Sequence, residues 1–89
     1  MAERRNKIET VIDILQVLHQ RGRLKTTHIL YKSNLSHTKL KVLLDELLGK
    51  GLIVEDVEGK THFYRLTDTG LKFLQQYVNM KKFTDSFGF

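Results

Sequence analysis

The first quarter of the chain carries apolar residues at the spacing of a single helical face. Within residues 4–21 these positions are Ile8, Val11, Ile12, Leu15 and Leu18. Such spacing is typical of an amphipathic helix that buries one side. Gly22 follows where a helix often ends in a left-handed residue. The pattern therefore predicts a first helix over residues 4–21.

A short second helix is predicted over residues 27–33, with the sequence THILYKS. Thr26 or Thr27 can accept hydrogen bonds from the free amides of its first turn. A polar turn follows, because Asn34 tolerates a left-handed backbone conformation. The residues of this helix that we expect to point inward are Ile29 and Leu30.

A third helix is predicted over residues 37–48, with Ser36 placed to cap its first turn. Its leucines share one face at helical spacing, and they are Leu40, Leu43, Leu44, Leu47 and Leu48. If this face is buried, the opposite face lies in solvent and presents His37, Thr38, Lys39, Lys41, Val42 and Asp45.

After Gly51 the period of the pattern changes. Residues 52–57 and 61–66 are rich in β-branched and aromatic residues, and Glu58-Gly59-Lys60 separates them. Two such segments with a short glycine-containing turn predict a β-hairpin. An isolated hairpin is only marginally stable, so this one is expected to pack on the helices.

The last predicted helix runs over residues 68–82, with Thr67 or Thr69 as its cap. It carries one apolar stripe that can cover the helical core, formed by Leu71, Leu74 and Val78. A second stripe is available to a symmetry-related copy, and we predict a dimer interface of Phe73, Tyr77, Met80 and Phe83. In the alternative, the aromatic tail folds back onto its own domain and the protein is a monomer.

Three helices, a hairpin and a further helix, with a tight turn between the second and third helices, give the order of a winged helix-turn-helix. The predicted fold is mainly α with a small β-hairpin: a three-helix core, a two-stranded wing and a C-terminal helix. Residues 1–66 would form the winged helix-turn-helix, and residues 67–89 the C-terminal helix and tail. A chain of 89 residues is too short for two independent cores, so both parts belong to one structural domain.

The composition argues against several classes of protein. The chain has no cysteine, which leaves no disulfide framework and no thiolate for a metal site or a nucleophile. No apolar run approaches the roughly 18 residues that span a bilayer. Glu9 and Asp13 interrupt what would have to be the apolar core of an export signal. We therefore expect a cytoplasmic protein without a membrane partner.

The charge is concentrated in the first half of the chain. The formal net charge is +5, and no acidic residue lies between Asp13 and Asp45. That window contains six cationic residues: Arg21, Arg23, Lys25, Lys32, Lys39 and Lys41. Such a segment creates a strong local field and favours an anionic partner, although it can also be an ordinary solvated face.

A helix can enter the major groove of DNA, about 12 Å wide, if its exposed half offers base-reading groups and lacks acids. The first turns of the third helix meet both conditions. The start of the second helix suits phosphate, and the hairpin supplies a secondary contact. The predicted DNA-binding residues are Lys25, Thr26, Thr27, His28, Ser36, His37, Thr38, Lys39, Lys41, Val42, Lys60 and His62. Because that face offers no Arg, Asn or Gln, we expect modest sequence specificity.

Three segments carry a resemblance to a known family: RRNKIETVIDILQVL, THILYKSNLSHTKLKVLLDELLGKGLI and FYRLTDTGLKFL. Over roughly residues 4–80 the chain resembles the small archaeal winged-helix regulators. Those include abundant basic DNA-binding proteins that dimerise through an antiparallel C-terminal helix. The resemblance implies a transcription regulator or a chromatin-type protein associated with the nucleoid, acting on double-stranded DNA as a homodimer.

Other functions find less support in the sequence. The nine-residue gaps between His19, His28 and His37 match no zinc-ligand spacing, so we expect no metal. No phosphate loop, paired carboxylates or nucleophile–base motif is present, so neither an enzyme, a cofactor nor a small-molecule substrate is indicated. The alternative that stays open is a winged helix that docks an acidic protein partner through the same basic face.

Overall fold

The computed structural model describes residues 6–89 as four helices and one three-stranded sheet. In chain order the elements are α1 (Lys7–Arg21), β1 (Arg23–Lys25), α2 (Thr26–Ser33), α3 (His37–Gly49), β2 (Ile53–Glu58), β3 (Thr61–Leu66) and α4 (Asp68–Ser86). The predicted winged helix-turn-helix arrangement is confirmed, and the sheet gains a strand that the sequence pattern did not predict.

Helix α1 begins where Asn6 and Glu9 cap each other. The Asn6 Oδ1 atom accepts a hydrogen bond from the Glu9 amide at 2.9 Å, and the Asn6 amide donates to Glu9 Oε1 at 3.2 Å. Residues 4 and 5 of the predicted helix lie outside the described residues. Two details of the predicted buried face are wrong, because Ile8 is 38% exposed and Ile14 is buried. The buried part of α1 is wider than one stripe, since α2, β3 and α4 all contact it.

The third strand is β1, a segment for which the sequence pattern predicted no strand. It pairs antiparallel with β3, with Leu24 opposite Tyr64, and gives the sheet order β1-β3-β2. The two-stranded wing that we predicted is therefore incomplete. Pairing with β1 satisfies backbone groups on an edge of β3 that a lone hairpin would leave open.

Helix α4 is longer than predicted, since it continues beyond residue 82 to Ser86. Thr67 caps it by accepting a hydrogen bond from the Gly70 amide at 2.9 Å, whereas the alternative cap Thr69 lies inside the helix. No proline or glycine interrupts its last turns, and Lys81 pairs with Asp85 at 3.5 Å.

The core lies between the four helices and the inner face of the sheet. Its central side chains, each less than 2% exposed, are Leu15, Leu18, Ile29, Leu40, Leu44, Leu47 and Ile53. Gly70 marks a close approach of α4 to this core, because a Cβ atom there would overlap the backbone carbonyl of Leu52. Within residues 6–89, no helix combines the length and the apolar character that crossing a membrane requires.

Candidate nucleic-acid interface

Helix α3 presents a convex row of side chains to solvent, and we call it the α3 ridge: His37, Thr38, Lys39, Lys41 and Val42. All five residues are exposed, and Val42 is the most exposed apolar side chain of α3, at 64%. The predicted orientation of the helix is confirmed, because its leucines at 40, 43, 44 and 47 are buried. Leu48, at the end of the helix, is only partly buried.

The start of the ridge is fixed by the turn before it. Asn34 adopts the predicted left-handed conformation, with φ 57°. Ser36 then caps α3, since its Oγ atom accepts a hydrogen bond from the Lys39 amide at 3.2 Å. This cap fixes the first turn of α3. The free backbone amides and the positive end of the helix dipole therefore lie beside His37, Thr38 and Lys39.

The two lysines of the ridge differ in their surroundings. Lys41 Nζ lies 3.2 Å from Asp45 Oδ1, and this hydrogen bond raises the pKa of Lys41. Lys39 forms no ion pair with any of residues 6–89. The Lys39 ammonium is therefore the cation of the ridge that can pair with an external anion without giving up an internal partner.

The carboxylate at the far end of α3 is compensated. Glu46 pairs with Lys7 at 2.8 Å and with Lys50 at 3.9 Å. The hydrogen bond from Lys7 lowers the pKa of Glu46 below its usual value. Because Lys7 belongs to α1, this ion pair also joins the start of α1 to the end of α3.

The start of α2 differs from the prediction. Lys25 occupies the N-cap position and offers no capping hydrogen bond, so neither Thr26 nor Thr27 caps the helix. Thr26 instead turns partly inward and hydrogen-bonds with Tyr64, while Thr27 and His28 are exposed. Burial raises the pKa of Tyr64, although the hydrogen bond with Thr26 opposes this effect.

The predicted wing contacts divide into two kinds. His62 Nδ1 lies 2.5 Å from Glu55 Oε2, and this carboxylate also accepts a hydrogen bond from the Tyr64 hydroxyl at 3.4 Å. Lys60 stands in the hairpin turn beside Gly59, whose φ is 61°. Lys60 is exposed and has no ion pair in the described part of the chain. Of the two residues, Lys60 is the one whose charge is uncompensated.

On the outer face of the sheet, arginines pair with carboxylates of the sheet itself. These ion pairs were not predicted from the sequence. Arg23 Nη1 lies 2.8 Å from Glu58 Oε2, and its Nη2 lies 3.2 Å from Oε1, so the pair is bidentate. The same guanidinium stacks 3.9 Å from the centre of the Phe63 ring. Arg65 Nε pairs with Asp56 at 2.8 Å. The hydrogen bond from each arginine lowers the pKa of its carboxylate partner, Glu58 or Asp56.

No local sequence pattern indicates the Arg23–Glu58 pair, because the two residues are 35 positions apart. Only the strand register brings them together: β1 pairs with β3, and β3 pairs with β2. Arg23 belongs to the basic window between Asp13 and Asp45, but its charge is paired with Glu58 within the sheet.

The predicted dimer residues lie on α4 with unequal exposure. Phe73 is 38% exposed, and Met80 and Phe83 are 62% and 63% exposed. Tyr77 packs partly against the core of its own chain. Beyond them, the Phe83 and Phe87 rings meet edge to face with their centres 5.1 Å apart. The tail does not fold back, since Phe87 and Phe89 are 65% and 91% exposed.

Among residues 6–89, no three His, Asp or Glu side chains gather as a metal site. The available chemistry of this face is therefore that of exposed amines, imidazoles and hydroxyls, together with backbone amides at the helix starts. These groups bind anions and donate hydrogen bonds.

A family model described as winged helix-turn-helix matches residues 4–85. Among solved structures, YusO of Bacillus subtilis superposes with a TM-score of 0.80 at 21% identity, over 86% of this chain and 57% of YusO. A protein of Archaeoglobus fulgidus superposes with a TM-score of 0.73 at 20% identity, over 89% of this chain and 90% of its own. Among curated proteins, none matches the sequence.

A third similar structure is a variant of MepR, a transcription regulator of Staphylococcus aureus, bound to an oligodeoxyribonucleotide. It superposes with a TM-score of 0.76 at 21% identity, over 86% of this chain and 59% of MepR. The chain thus spans less than two thirds of the length of YusO and of MepR. At these identities the likeness is one of fold.

Proposed function

This chain belongs to the winged helix-turn-helix family, and from that premise we propose that it binds double-stranded DNA as a transcription regulator or chromatin-associated protein. The observation that carries the proposal is the α3 ridge, whose five residues are all exposed, which is capped at its start and which holds a lysine, Lys39, without an ion pair among residues 6–89. Support also comes from MepR, which shares the fold and is bound to an oligodeoxyribonucleotide.

In the proposed complex the first half of α3 lies in the major groove. His37, Thr38 and Lys39 meet base edges and the nearest phosphates, and Lys41 and Val42 lie one turn deeper. Lysine reads guanine acceptors, whereas threonine and valine methyl groups fit thymine. Specificity is modest because this set lacks the bidentate arginine or amide side chains that discriminate best.

Phosphates flank this groove contact on both sides in the proposed complex. Lys25, Thr27 and His28 contact the backbone at the start of α2, while Lys60 contacts it from the wing. Thr26, Ser36 and His62 play an indirect part, because each is held in an internal hydrogen bond. The expected place of action is chromosomal DNA in the cytoplasm.

The proposal includes a homodimer formed through α4. The four exposed or half-exposed residues Phe73, Tyr77, Met80 and Phe83 form its interface, and two copies then read half-sites about one helical turn apart. Sedimentation at micromolar concentration is expected to give a species near twice the 10.4 kDa chain mass. A species of the single-chain mass contradicts the dimer and leaves the DNA proposal standing.

The test is a fluorescence-anisotropy titration of the protein on a labelled duplex at several salt concentrations. Binding should weaken as salt rises, with a slope of about 0.9 in log K per neutralised phosphate. Replacing both ridge lysines, Lys39→Ala and Lys41→Ala, should weaken binding and flatten this slope. The matched control, Lys72→Ala with Lys82→Ala, removes the same charge from α4 and should leave the slope as it was.

The competing function is a protein-interaction module that docks an acidic partner through the same face. It predicts little affinity for duplex DNA at 150 mM salt in the same titration. That outcome contradicts the DNA proposal directly. An unchanged slope in the ridge variant, with binding intact, removes α3 from the DNA interface.

A further inference from the structure

An open groove lies between the end of α1 and the outer face of α2, and we call it the α1–α2 groove. Its volume is about 290 Å³, and its lining residues are Val17, Arg21, Leu24, His28, Tyr31 and Lys32. Of these, only His28 belongs to the proposed DNA contacts. The other five have no role in the fold's core beyond the partial burial of Val17 and Leu24.

The rim of this groove is cationic and the floor is apolar. Arg21, His28 and Lys32 are all exposed, and none forms an ion pair with another described residue. No carboxylate of residues 6–89 lines the groove. Asp13 lines the adjoining depression together with Lys32. A groove with this lining attracts an anion, because Arg21 and Lys32 supply positive charge without a carboxylate beside them in the lining.

Tyr31 gives the groove a second feature. Its side chain is 85% exposed. A ring in water with a hydroxyl at its edge can pack on a deoxyribose and donate to a phosphate oxygen at the same time. Nothing within the described chain covers this ring.

The position of the groove is continuous with the proposed interface. His28 lies in the first turn of α2 and lines the groove. Thr27 beside it is one of the proposed phosphate contacts. A DNA strand that meets the start of α2 can therefore continue past Arg21 and along the outer face of α2. The other candidate ligands, a small anion or an acidic peptide, lack this continuity.

We infer that the α1–α2 groove binds the sugar–phosphate backbone of the DNA that flanks the segment under α3. The inference rests on the proposed function and extends its footprint. Arg21 and Lys32 neutralise flanking phosphates, and Tyr31 packs on the sugar between them. The contact is independent of sequence, since it touches no base edge.

The experiment compares salt slopes on a duplex of about 40 base pairs, roughly four helical turns, which leaves room for flanking contacts. The variant carries Arg21→Ala with Lys32→Ala. Its slope should be smaller than that of the parent by about 1.8, two phosphates at roughly 0.9 each. The control Lys72→Ala with Lys82→Ala should keep the parent slope.

A second measurement uses the absence of cysteine from the chain. A benzophenone attached at Tyr31→Cys should crosslink to the labelled duplex, whereas the same group at Asn79→Cys on α4 should not. Thermal melting of each variant checks that the fold is intact, which we expect because all the replaced side chains are exposed.

The outcomes separate the two proposals. If the parent binds the duplex but the Arg21/Lys32 variant keeps its slope and residue 31 gives no crosslink, the groove inference is overturned and the proposed function stands. An unchanged slope alone also overturns it, because the cations are its core. If the parent does not bind duplex DNA at all, the proposed function fails first and the inference fails with it.

Discussion

The α3 ridge and the three-stranded sheet both carry cationic side chains, yet they use these charges differently. On the sheet, Arg23, Arg65 and His62 each lie against a carboxylate of β2. On the ridge, Lys39 is exposed and forms no ion pair with residues 6–89, and Lys41 has one exposed partner, Asp45. Cations thus stabilise the sheet in one region, whereas the Lys39 ammonium is available to a ligand in the other.

This difference shows why a charge count along the chain is an incomplete guide to an interface. The acids of the hairpin suggest a wing that repels DNA. In the structure Asp56 and Glu58 are paired with arginines of neighbouring strands, so two of the three acids of the wing are compensated. Lys60, which has no ion pair among the described residues, lies in the hairpin turn.

The strongest effect on stability is expected from a substitution in the core beneath the α3 ridge. Leu44 is fully buried under it, so Leu44→Ala should lower the free energy of unfolding by about 3 kcal/mol through lost burial and a cavity. Val42→Ala, on the exposed side of the same helix, should change it by less than about 0.5 kcal/mol. Urea unfolding measures both. Equal costs would contradict the inward and outward assignment of α3.

The base of the wing offers the next test. Gly70→Ala should destabilise the protein by about 2 kcal/mol, since its methyl group has no room beside the Leu52 carbonyl. Gly49→Ala is the control, because that position is open and its φ is not positive, so a slight gain in stability is expected there. Thermal melting of the two variants compares them. A Gly70 variant as stable as the parent would show that α4 does not approach the Leu52 backbone this closely.

Single substitutions test whether the α3 ridge and the sheet differ in the charges that they offer to DNA. Lys39→Ala should lower the salt slope of binding by about 0.9, because one free ammonium is lost. Arg65→Ala should change it little, since the charge of Arg65 is already paired with Asp56. Anisotropy titrations on one duplex suffice. A larger drop for the Arg65 variant would reverse our assignment of the two regions.

The smallest expected effect is the acid stability of the sheet. The pKa values of Asp56 and Glu58 lie below their ordinary values of 3.8 and 4.5 because arginines hydrogen-bond the ionised forms. Their stabilisation is therefore complete above those ordinary values and is lost as the pH falls through the lowered pKa values. In urea unfolding between about pH 5 and pH 2, Asp56→Asn with Glu58→Gln should show a shallower loss than the parent. Parallel curves would mean that the two arginine pairs do not stabilise the sheet.

Much of the fold could be predicted because its signals are local. Leucine spacing located α3 and its exposed face, and Ser36 and Thr67 act as the caps predicted for α3 and α4. The start of α2 could not be predicted this way. Thr26 has the chemistry of a cap, but Lys25 takes the N-cap position and Thr26 lies half-buried inside the helix.

The end of α4 and the strand β1 were not predicted, for a different reason. Three residues are too few to show a period, so β1 became visible only through its partner β3. The pattern of apolar residues weakens beyond Lys82, although intrahelical pairs such as Lys81–Asp85 carry the helix on to Ser86.

The spacing of apolar residues was enough to predict which faces of the helices are buried, and hence that a cationic row on α3 would lie in solvent. Periodicity is enough for this, because burying one side of a helix exposes the other. Only the tertiary structure decided which cations are free. Ion pairs between residues 35 positions apart, such as Arg23 and Glu58, depend on strand register and on the order of strands, and neither is written in any short segment of the chain.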